Sequence, residues 1–201
     1  MIRIVCIDIS SADERTYRSL YEKASHARKL RADRYLRQED KLRCVTAAAL
    51  LKKVLGADED QIVKNEYGKP YLRERRDIHY NLSHSGSYVV LAWGNSEVGV
   101  DVQKHDPAVN TEAIGKRFFA QDELLYARQA PRHFYEIWTK KESFIKYTGK
   151  GLHDDLRSFS VLIPETNIRY FYRMLGTDYS LSLCTEEEEY ETTVMAVQQL
   201  L

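Results

Sequence analysis

The stretch WTKKESFIK, residues 138–146, is the most informative part of this chain, and glycines follow it at positions 149 and 151. Trp138, Glu142 and Lys146 are spaced four residues apart, which predicts an α-helix with these side chains along one stripe. Glu142 and Lys146 could form an ordinary surface ion pair, but a tryptophan one turn earlier indicates that the stripe is sheltered. The pattern therefore predicts a carboxylate and an ammonium group held together in a protected site.

A second stretch, VGVDVQ at residues 98–103, lies about forty residues upstream and predicts a β-strand. Its three valines would face the core, which leaves Asp101 and Gln103 together on the opposite face. A carboxylate there is tolerated only in a cleft or in solvent. One acid on a strand, a second on a helix and a lysine one turn beyond it suit magnesium and a phosphorylated substrate.

The composition indicates a folded protein without a strong overall field. Hydrophobic residues make up 43% of the 201 positions, and 30 basic residues balance 30 acidic ones. A net charge of zero argues against recruitment of nucleic acid or an acidic membrane, and no apolar run is long enough to span a bilayer. Three widely separated cysteines argue against disulfides and a zinc site. We therefore expect a cytoplasmic protein with no membrane and no nucleic-acid partner.

The order of predicted elements indicates an α+β protein. A strand is predicted at residues 2–9, followed by helical segments, of which 39–55 shows the clearest periodicity. Three strands, three helices and a strand-rich end follow. The three strands are predicted at 77–81, 87–93 and 97–103, and the three helices at 111–119, 121–128 and 132–148. The strands of the final segment are predicted at 158–163, 168–174, 179–184 and 192–197.

Several short motifs occur in one order along the chain: YGKP at 67–70, NLSHSG at 81–86, GVDVQ at 99–103 and FYEIWTKKESFIKYTGKGL at 134–152. In this order they resemble the surfactin-type 4′-phosphopantetheinyl transferases, over about residues 28–160. The resemblance implies two similar α/β subdomains in a pseudo-twofold arrangement, with the active site in the cleft between them. We expect the N-terminal subdomain at 1–105 and the C-terminal subdomain at 106–201.

The resemblance also implies an activity, which is magnesium-dependent transfer of the 4′-phosphopantetheine group of coenzyme A to a serine of an acyl or peptidyl carrier protein. The other product is adenosine 3′,5′-bisphosphate, and a monomer is expected. Asp101, Gln103 and Glu142 fall at the family's metal positions, although many members have Glu where this chain has Gln103. By the same resemblance Asp101, Glu142 and Lys146 are catalytic, with Glu142 as the base and Lys146 on the bridging phosphates.

Residues that bind coenzyme A are implied in the same way. Each has an ordinary alternative: the early arginines could line a solvated helix face, the lysine could lie in a simple turn, and the histidine could be structural. Arginine suits phosphate because it presents a planar fork of donors. The expected contacts are Arg28, Arg31 and Arg43 at the 3′-phosphate, which His84 helps to clamp, with Lys69, Ser83 and Lys146 as further contacts to coenzyme A. Glu123 falls at a further acid near the family's site.

Two other functions stay open at this point. A non-catalytic coenzyme A-binding or carrier-docking module is supported by Gln103 alone, since a neutral amide offers less charge to a hard cation. A nucleic-acid binder would use the basic cluster between Arg28 and Arg43, but zero net charge and the lack of a recognised motif argue against it.

Overall fold

The computed structural model describes residues 1–151, 155–164 and 167–201. In this part of the chain three helices follow the first strand, and three more lie between two strand-rich segments. The helices are α1 Glu14–Lys23, α2 His26–Asp33, α3 Gln38–Leu55, α4 Thr111–Phe118, α5 Gln121–Ala127 and α6 Pro131–Thr148. The strands are β1 Ile2–Asp8, β2 Ile62–Lys64, β3 Pro70–Leu72, β4 His79–Ser85, β5 Tyr88–Gly94, β6 Val98–Lys104, β7 Arg169–Leu175, β8 Tyr179–Thr185 and β9 Tyr190–Ala196. The α+β class is thereby confirmed.

The strands form two main sheets. The first has the order β4-β5-β1-β9, in which β1 is antiparallel to β5 and parallel to β9. The second has the order β6-β8-β7 and is antiparallel throughout. β2 and β3 form a separate small hairpin.

The two sheets pack face to face over an apolar core. The valines of β6 lie in this core with residues of β1, β5 and β8, so the predicted inward face of β6 is confirmed. The other face of the first sheet packs on α3, and α6 packs on β6 and β8 of the second. The chain therefore has four layers, with helices outside and sheets inside.

A glycine on β6 permits the close approach of α6. A methyl group at Gly99 would collide with the backbone of Ser143 and Tyr147. Because Gly99 and Asp101 lie on the same face of the strand, the helix that presses on Gly99 also passes over Asp101. This approach brings the two stretches found in the sequence into contact.

Side chains join the free edges of β4 and β6, an arrangement that we call the side-chain ladder. Three alternate side chains of β4 each accept a hydrogen bond from a backbone N–H of β6. The ladder therefore satisfies edge groups that would otherwise lack strand partners. Its bonds join Asn81 Oδ1 to Val100 N at 3.0 Å, Ser83 Oγ to Val102 N at 3.2 Å and Ser85 Oγ to Lys104 N at 3.0 Å.

Two predicted elements differ from the structure. The strand predicted at 77–81 is β4, which begins at His79 and continues through Ser85, because β5 pairs with its whole length and the ladder joins its second half to β6. The strand predicted at 158–163 is instead a 3-10 turn, Leu156–Ser158, followed by loop. Buried contacts described below hold this segment against α5 and α6 without strand pairing.

The division into subdomains at 1–105 and 106–201 stays a prediction. β6 precedes residue 105 but pairs with β8, while β9 follows it but pairs with β1. Strand pairing therefore crosses the expected boundary in both directions. Among the described helices, none has both the length and the apolar character required to cross a membrane.

Candidate active site

The site is centred on Asp101, which is only 6% exposed. Its Oδ1 accepts hydrogen bonds from Ser83 Oγ at 2.8 Å and from Lys146 Nζ at 2.7 Å. Lys146 Nζ also donates to Ser83 Oγ at 3.0 Å and to the Val100 carbonyl at 3.2 Å. We call Ser83, Asp101, Glu142 and Lys146 the Asp101 cluster. It contains residues from β4, β6 and α6, and thus lies where the two sheets meet.

The stripe predicted on α6 occurs in the structure. Trp138 is half-buried and packs against Phe118 and Phe134, with ring centroids 5.9 and 6.2 Å away. Glu142 follows one turn later and is half-buried, and Lys146 lies one turn beyond it. The tryptophan therefore marks a sheltered face, as its position in the sequence indicated.

Glu142 has an altered proton affinity. Burial raises the pKa of its carboxyl above the usual range, and the negative charge of Asp101 raises it further, while Lys146 acts in the opposite direction. A carboxylate with a raised pKa is a better proton acceptor at neutral pH than an ordinary surface glutamate. Glu142 can therefore act as a base, or bind a cation that relieves its repulsion with Asp101.

The cluster fits a magnesium ion in the chemistry of its donors. Among the described residues no hydrogen bond reaches Asp101 Oδ2, so this oxygen is available to a ligand. The same residues contain no group of three or more His, Cys, Asp or Glu side chains that could hold a metal. Two carboxylates are nevertheless sufficient, because magnesium prefers oxygen ligands and keeps several from water and phosphate.

Gln103 lies on the same face of β6 as Asp101, as predicted. Its Nε2 donates to the carbonyl of Lys104 at 3.1 Å, and the side chain is half-buried. The amide nitrogen is thus engaged, which leaves Oε1 as the atom able to face a cation. Its metal-ligand role stays a prediction.

Arg43 adds a positive charge near the cluster, and its charge acts on the ring of His84. The Arg43 guanidinium donates to the Gly86 carbonyl and to Asp40 Oδ1, both at 2.6 Å. The His84 ring retains solvent contact, yet its pKa lies below the usual range, because of partial desolvation and then the charges of Arg43 and Lys146. The charges of Arg43 and Lys146 therefore both act on the His84 ring.

Lys69 is anchored beside the end of α6. Its Nζ donates to Glu97 Oε2 at 2.6 Å and to the Tyr147 carbonyl at 2.8 Å. Lys69 and Lys146 both line a cavity of about 260 Å³ between the β2–β3 hairpin and α6. Lys69 thus borders the same cleft as the Asp101 cluster, but its charge is already paired.

The structure does not bring Arg28 or Arg31 into the Asp101 cluster. Arg28 is buried, and its Nε and Nη2 each bind the Glu59 carboxylate at 2.9 Å, because α2 turns this residue inward. Arg31 lies exposed on α2. Their roles as coenzyme A contacts stay predictions, and a phosphate at Arg28 would compete with Glu59.

Glu123 is part of a buried ion pair away from the cluster. Its Oε2 lies 2.8 Å from Lys141 Nζ, with the side chains 0% and 1% exposed. Glu123 also accepts from the Val161 N–H at 2.8 Å, and Lys141 donates to the Phe159 carbonyl at 2.9 Å. The pair therefore fixes the segment that includes Phe159 and Val161 against α5 and α6.

The contributions of Asn81 and Ser85 were not predicted from the sequence. Both belong to the side-chain ladder, which sets β6 and its Asp101 against β4. A signal for them exists, since Asn81, Ser83 and Ser85 are polar at every second position, as expected for one polar face of a strand.

Two family models match consecutive parts of the chain. Residues 97–197 match the 4′-phosphopantetheinyl transferase superfamily, and residues 11–96 match the N-terminal region of 4′-phosphopantetheinyl transferases. The chain therefore belongs to the 4′-phosphopantetheinyl transferase superfamily. Its two carboxylates, one on a strand and one on a helix, lie with a lysine where the two sheets meet.

Individual relatives agree with this assignment. The chain is 35% identical to a 4′-phosphopantetheinyl transferase of Bacillus subtilis over 201 positions, which cover 90% of this chain and 84% of that protein. It is 31% identical to the 4′-phosphopantetheinyl transferase Sfp of Bacillus subtilis strain 168, over 84% of this chain and 85% of that protein. A putative 4′-phosphopantetheinyl transferase of Synechocystis is 36% identical over 71% of this chain and 63% of that protein. The surfactin-type resemblance predicted from the motifs is confirmed.

Proposed function

We propose that this protein transfers the 4′-phosphopantetheine group of coenzyme A to a serine of an acyl or peptidyl carrier protein. The observation that carries the proposal is the Asp101 cluster, in which two carboxylates and a lysine lie together between two sheets. Family membership and the names of the relatives support the same reaction.

Asp101 and Glu142 would hold a magnesium ion, with Gln103 Oε1 as a third protein ligand. When bound, the ion would polarise the attacked phosphoryl group and balance the charge that develops on its oxygens. Asp101 would have Oδ2 available for the ion, because Ser83 and Lys146 already donate to Oδ1. Glu142 would contribute a carboxylate whose pKa is raised by burial and then by the charge of Asp101, with Lys146 acting in the opposite direction.

In the reaction, the hydroxyl oxygen of the carrier serine attacks the phosphorus that carries the pantetheine arm. The bond from that phosphorus to the bridging oxygen breaks, and adenosine 3′,5′-bisphosphate leaves with the electron pair. Glu142 accepts the serine proton, and the ammonium group of Lys146 stabilises the negative charge on the bridging oxygen. Most of the rate acceleration comes from positioning and charge stabilisation, as is usual in phosphoryl transfer.

Arg43, His84 and Lys146 would bind the phosphates of coenzyme A. Arg43 is held by Gly86 and Asp40, so its fork is oriented before the ligand arrives. Ser83 and Lys69 are anchored inside the protein, and we propose that they act by fixing Asp101 and the wall of the cleft. Arg31 is exposed and free to reach the 3′-phosphate from outside.

The direct test is mass spectrometry of an apo carrier protein after incubation with this protein, coenzyme A and Mg²⁺. The carrier should gain one phosphopantetheine group on its serine. Asp101→Ala should lose this activity, whereas Asp77→Ala, which changes an exposed aspartate, should keep it. Binding of coenzyme A with no mass added to any carrier tested would instead indicate a non-catalytic binding module.

The remaining expectations are part of the same proposal. We propose a monomer that works in the cytoplasm, with subdomains at 1–105 and 106–201. Among the described residues the three cysteines are free and buried, which supports a reducing compartment. Gel filtration with light scattering tests whether the protein is a monomer in solution.

A further inference from the structure

The carboxylate of Asp101 has two oxygens in different situations. Oδ1 receives both Ser83 Oγ and Lys146 Nζ, whereas no hydrogen bond from the described residues reaches Oδ2. Lys146 is also held by the Val100 carbonyl, so its ammonium group has a defined place beside Asp101. A cation of the protein therefore already lies against the carboxylate that would bind the metal.

A bound cation weakens the attraction of a carboxylate for a second cation, because the two positive charges repel at short range. Lys146 also acts on Glu142, whose charge it partly balances. Both carboxylates of the site thus have the same lysine as a counter-ion. A divalent cation that enters must overcome this charge.

We propose that Lys146 couples metal binding to the arrival of an anionic substrate. Without a phosphate in the cleft, the lysine lowers the affinity of Asp101 and Glu142 for a divalent cation. A phosphate that takes over the ammonium charge restores that affinity. The phosphate source to which we commit is coenzyme A, and in this respect the inference rests on the proposed function.

The structure gives Lys146 the freedom that this role requires. Its side chain is 27% exposed, and it lines the cavity of about 260 Å³ beside the Asp101 cluster. A lysine ammonium on a flexible four-carbon stem can turn toward a phosphate without movement of the helix. Lys146 can therefore exchange Asp101 for a phosphate by a side-chain movement alone.

Coupling of this kind is reciprocal, so coenzyme A must tighten metal binding by the same factor by which metal tightens coenzyme A binding. Couplings of about 5- to 150-fold are typical. A purely structural ion pair makes the opposite prediction for variants. If Lys146 only orients Asp101, its removal leaves metal affinity unchanged or lower.

The experiment measures Mn²⁺ binding by electron paramagnetic resonance of the free ion, without carrier protein and with or without coenzyme A. Lys146→Gln keeps a hydrogen-bond donor and removes the charge, while Lys146→Arg keeps the charge as the matched control. Without coenzyme A, Lys146→Gln should bind Mn²⁺ about tenfold more tightly than the wild type. Coenzyme A should then tighten Mn²⁺ binding by a smaller factor than in the wild type, and Lys146→Arg should resemble the wild type. Mn²⁺ bound by coenzyme A alone is measured and subtracted.

Equal or weaker Mn²⁺ binding by a folded Lys146→Gln would overturn the proposal. Thermal melting checks the fold, and Lys146→Met serves as a second uncharged variant if the first unfolds. The wild type also provides a test, since Mn²⁺ affinity that does not respond to bound coenzyme A contradicts coupling. These titrations need no transfer, so a protein that binds coenzyme A and Mn²⁺ without coupling refutes this inference and leaves the proposed reaction standing. A wild type that binds neither refutes both.

Discussion

Replacing Ser83 by alanine should destabilise the protein more than the same change at Ser85, although both belong to the side-chain ladder. Each hydroxyl accepts a hydrogen bond from a β6 N–H, that of Val102 for Ser83 and that of Lys104 for Ser85. Ser83 is buried and also donates to Asp101, whereas Ser85 is half-buried and has only the ladder bond within the described residues. Comparison of the two variants therefore separates the contribution of the side-chain ladder to stability from that of the Asp101 cluster.

The expected difference follows from these contacts. Loss of one neutral hydrogen bond costs about 0.5–1.5 kcal/mol, so Ser85→Ala should cost about 1 kcal/mol. Ser83→Ala leaves a buried N–H unpaired and removes a bond to a charged group, each worth roughly 1–3 kcal/mol. The same hydroxyl also accepts from Lys146 Nζ. Since one hydroxyl makes all three contacts, the losses do not add fully, and we expect about 2–4 kcal/mol. In a chain of this size these values lower Tm by about 2–4 °C for Ser85→Ala and by about 5–15 °C for Ser83→Ala.

The assay is equilibrium unfolding in urea, with thermal melting in parallel and without added metal. The m-values should match that of the wild type, which would show that the change acts on the folded state rather than on the extent of unfolding. Equal loss of stability in the two variants would refute the reasoning, because it would mean that the bond from Ser83 to Asp101 contributes nothing.

Three further predictions concern the site. Glu142→Gln should raise Tm at neutral pH in metal-free buffer, because burial and then the charge of Asp101 raise the pKa of Glu142 and disfavour its ionised form in the folded protein. The gain should shrink as pH falls through the raised pKa of Glu142 in the folded protein and vanish below the unfolded pKa of glutamate, where both states are protonated; a gain that grows on acidification would contradict this sign. Gln103→Glu should lower the Mg²⁺ concentration that gives half-maximal transfer, and an unchanged titration would place Gln103 away from the ion. Dephospho-coenzyme A should bind the wild type about ten- to a hundredfold more weakly than coenzyme A, as measured by calorimetry. If Arg43 binds the 3′-phosphate, the ratio of the two dissociation constants should be much smaller in Arg43→Ala.

Periodicity was sufficient to predict the core of the site. The four-residue spacing of Glu142 and Lys146, together with alternation around Asp101, defines which face each side chain occupies. Both patterns are local, because they depend only on helix and strand geometry. The contact between the two elements required one further residue, Gly99, whose role depends on a helix distant in sequence.

Features that depend on distant partners could not be predicted. Arg28 lies in a basic cluster and suits a phosphate, but its fork is bound by Glu59, thirty-one residues away. Lys69 similarly pairs with Glu97 and with the end of α6. Local spacing does not specify such partners, since a buried charge is bound by whichever opposite group the tertiary fold brings near.

The parallel pairing of β1 with β9 has a consequence for the newly made chain. β1 leaves the ribosome well before its neighbour from Tyr190 to Ala196, because about 180 residues separate the two strands along the chain. At about 5–20 residues per second, β1 waits roughly ten to forty seconds with one edge uncovered. An open strand edge is a template for pairing with other chains. Chaperone demand during synthesis should therefore depend on how soon β9 arrives, and a ribosome stalled before Tyr190 should release an aggregation-prone product.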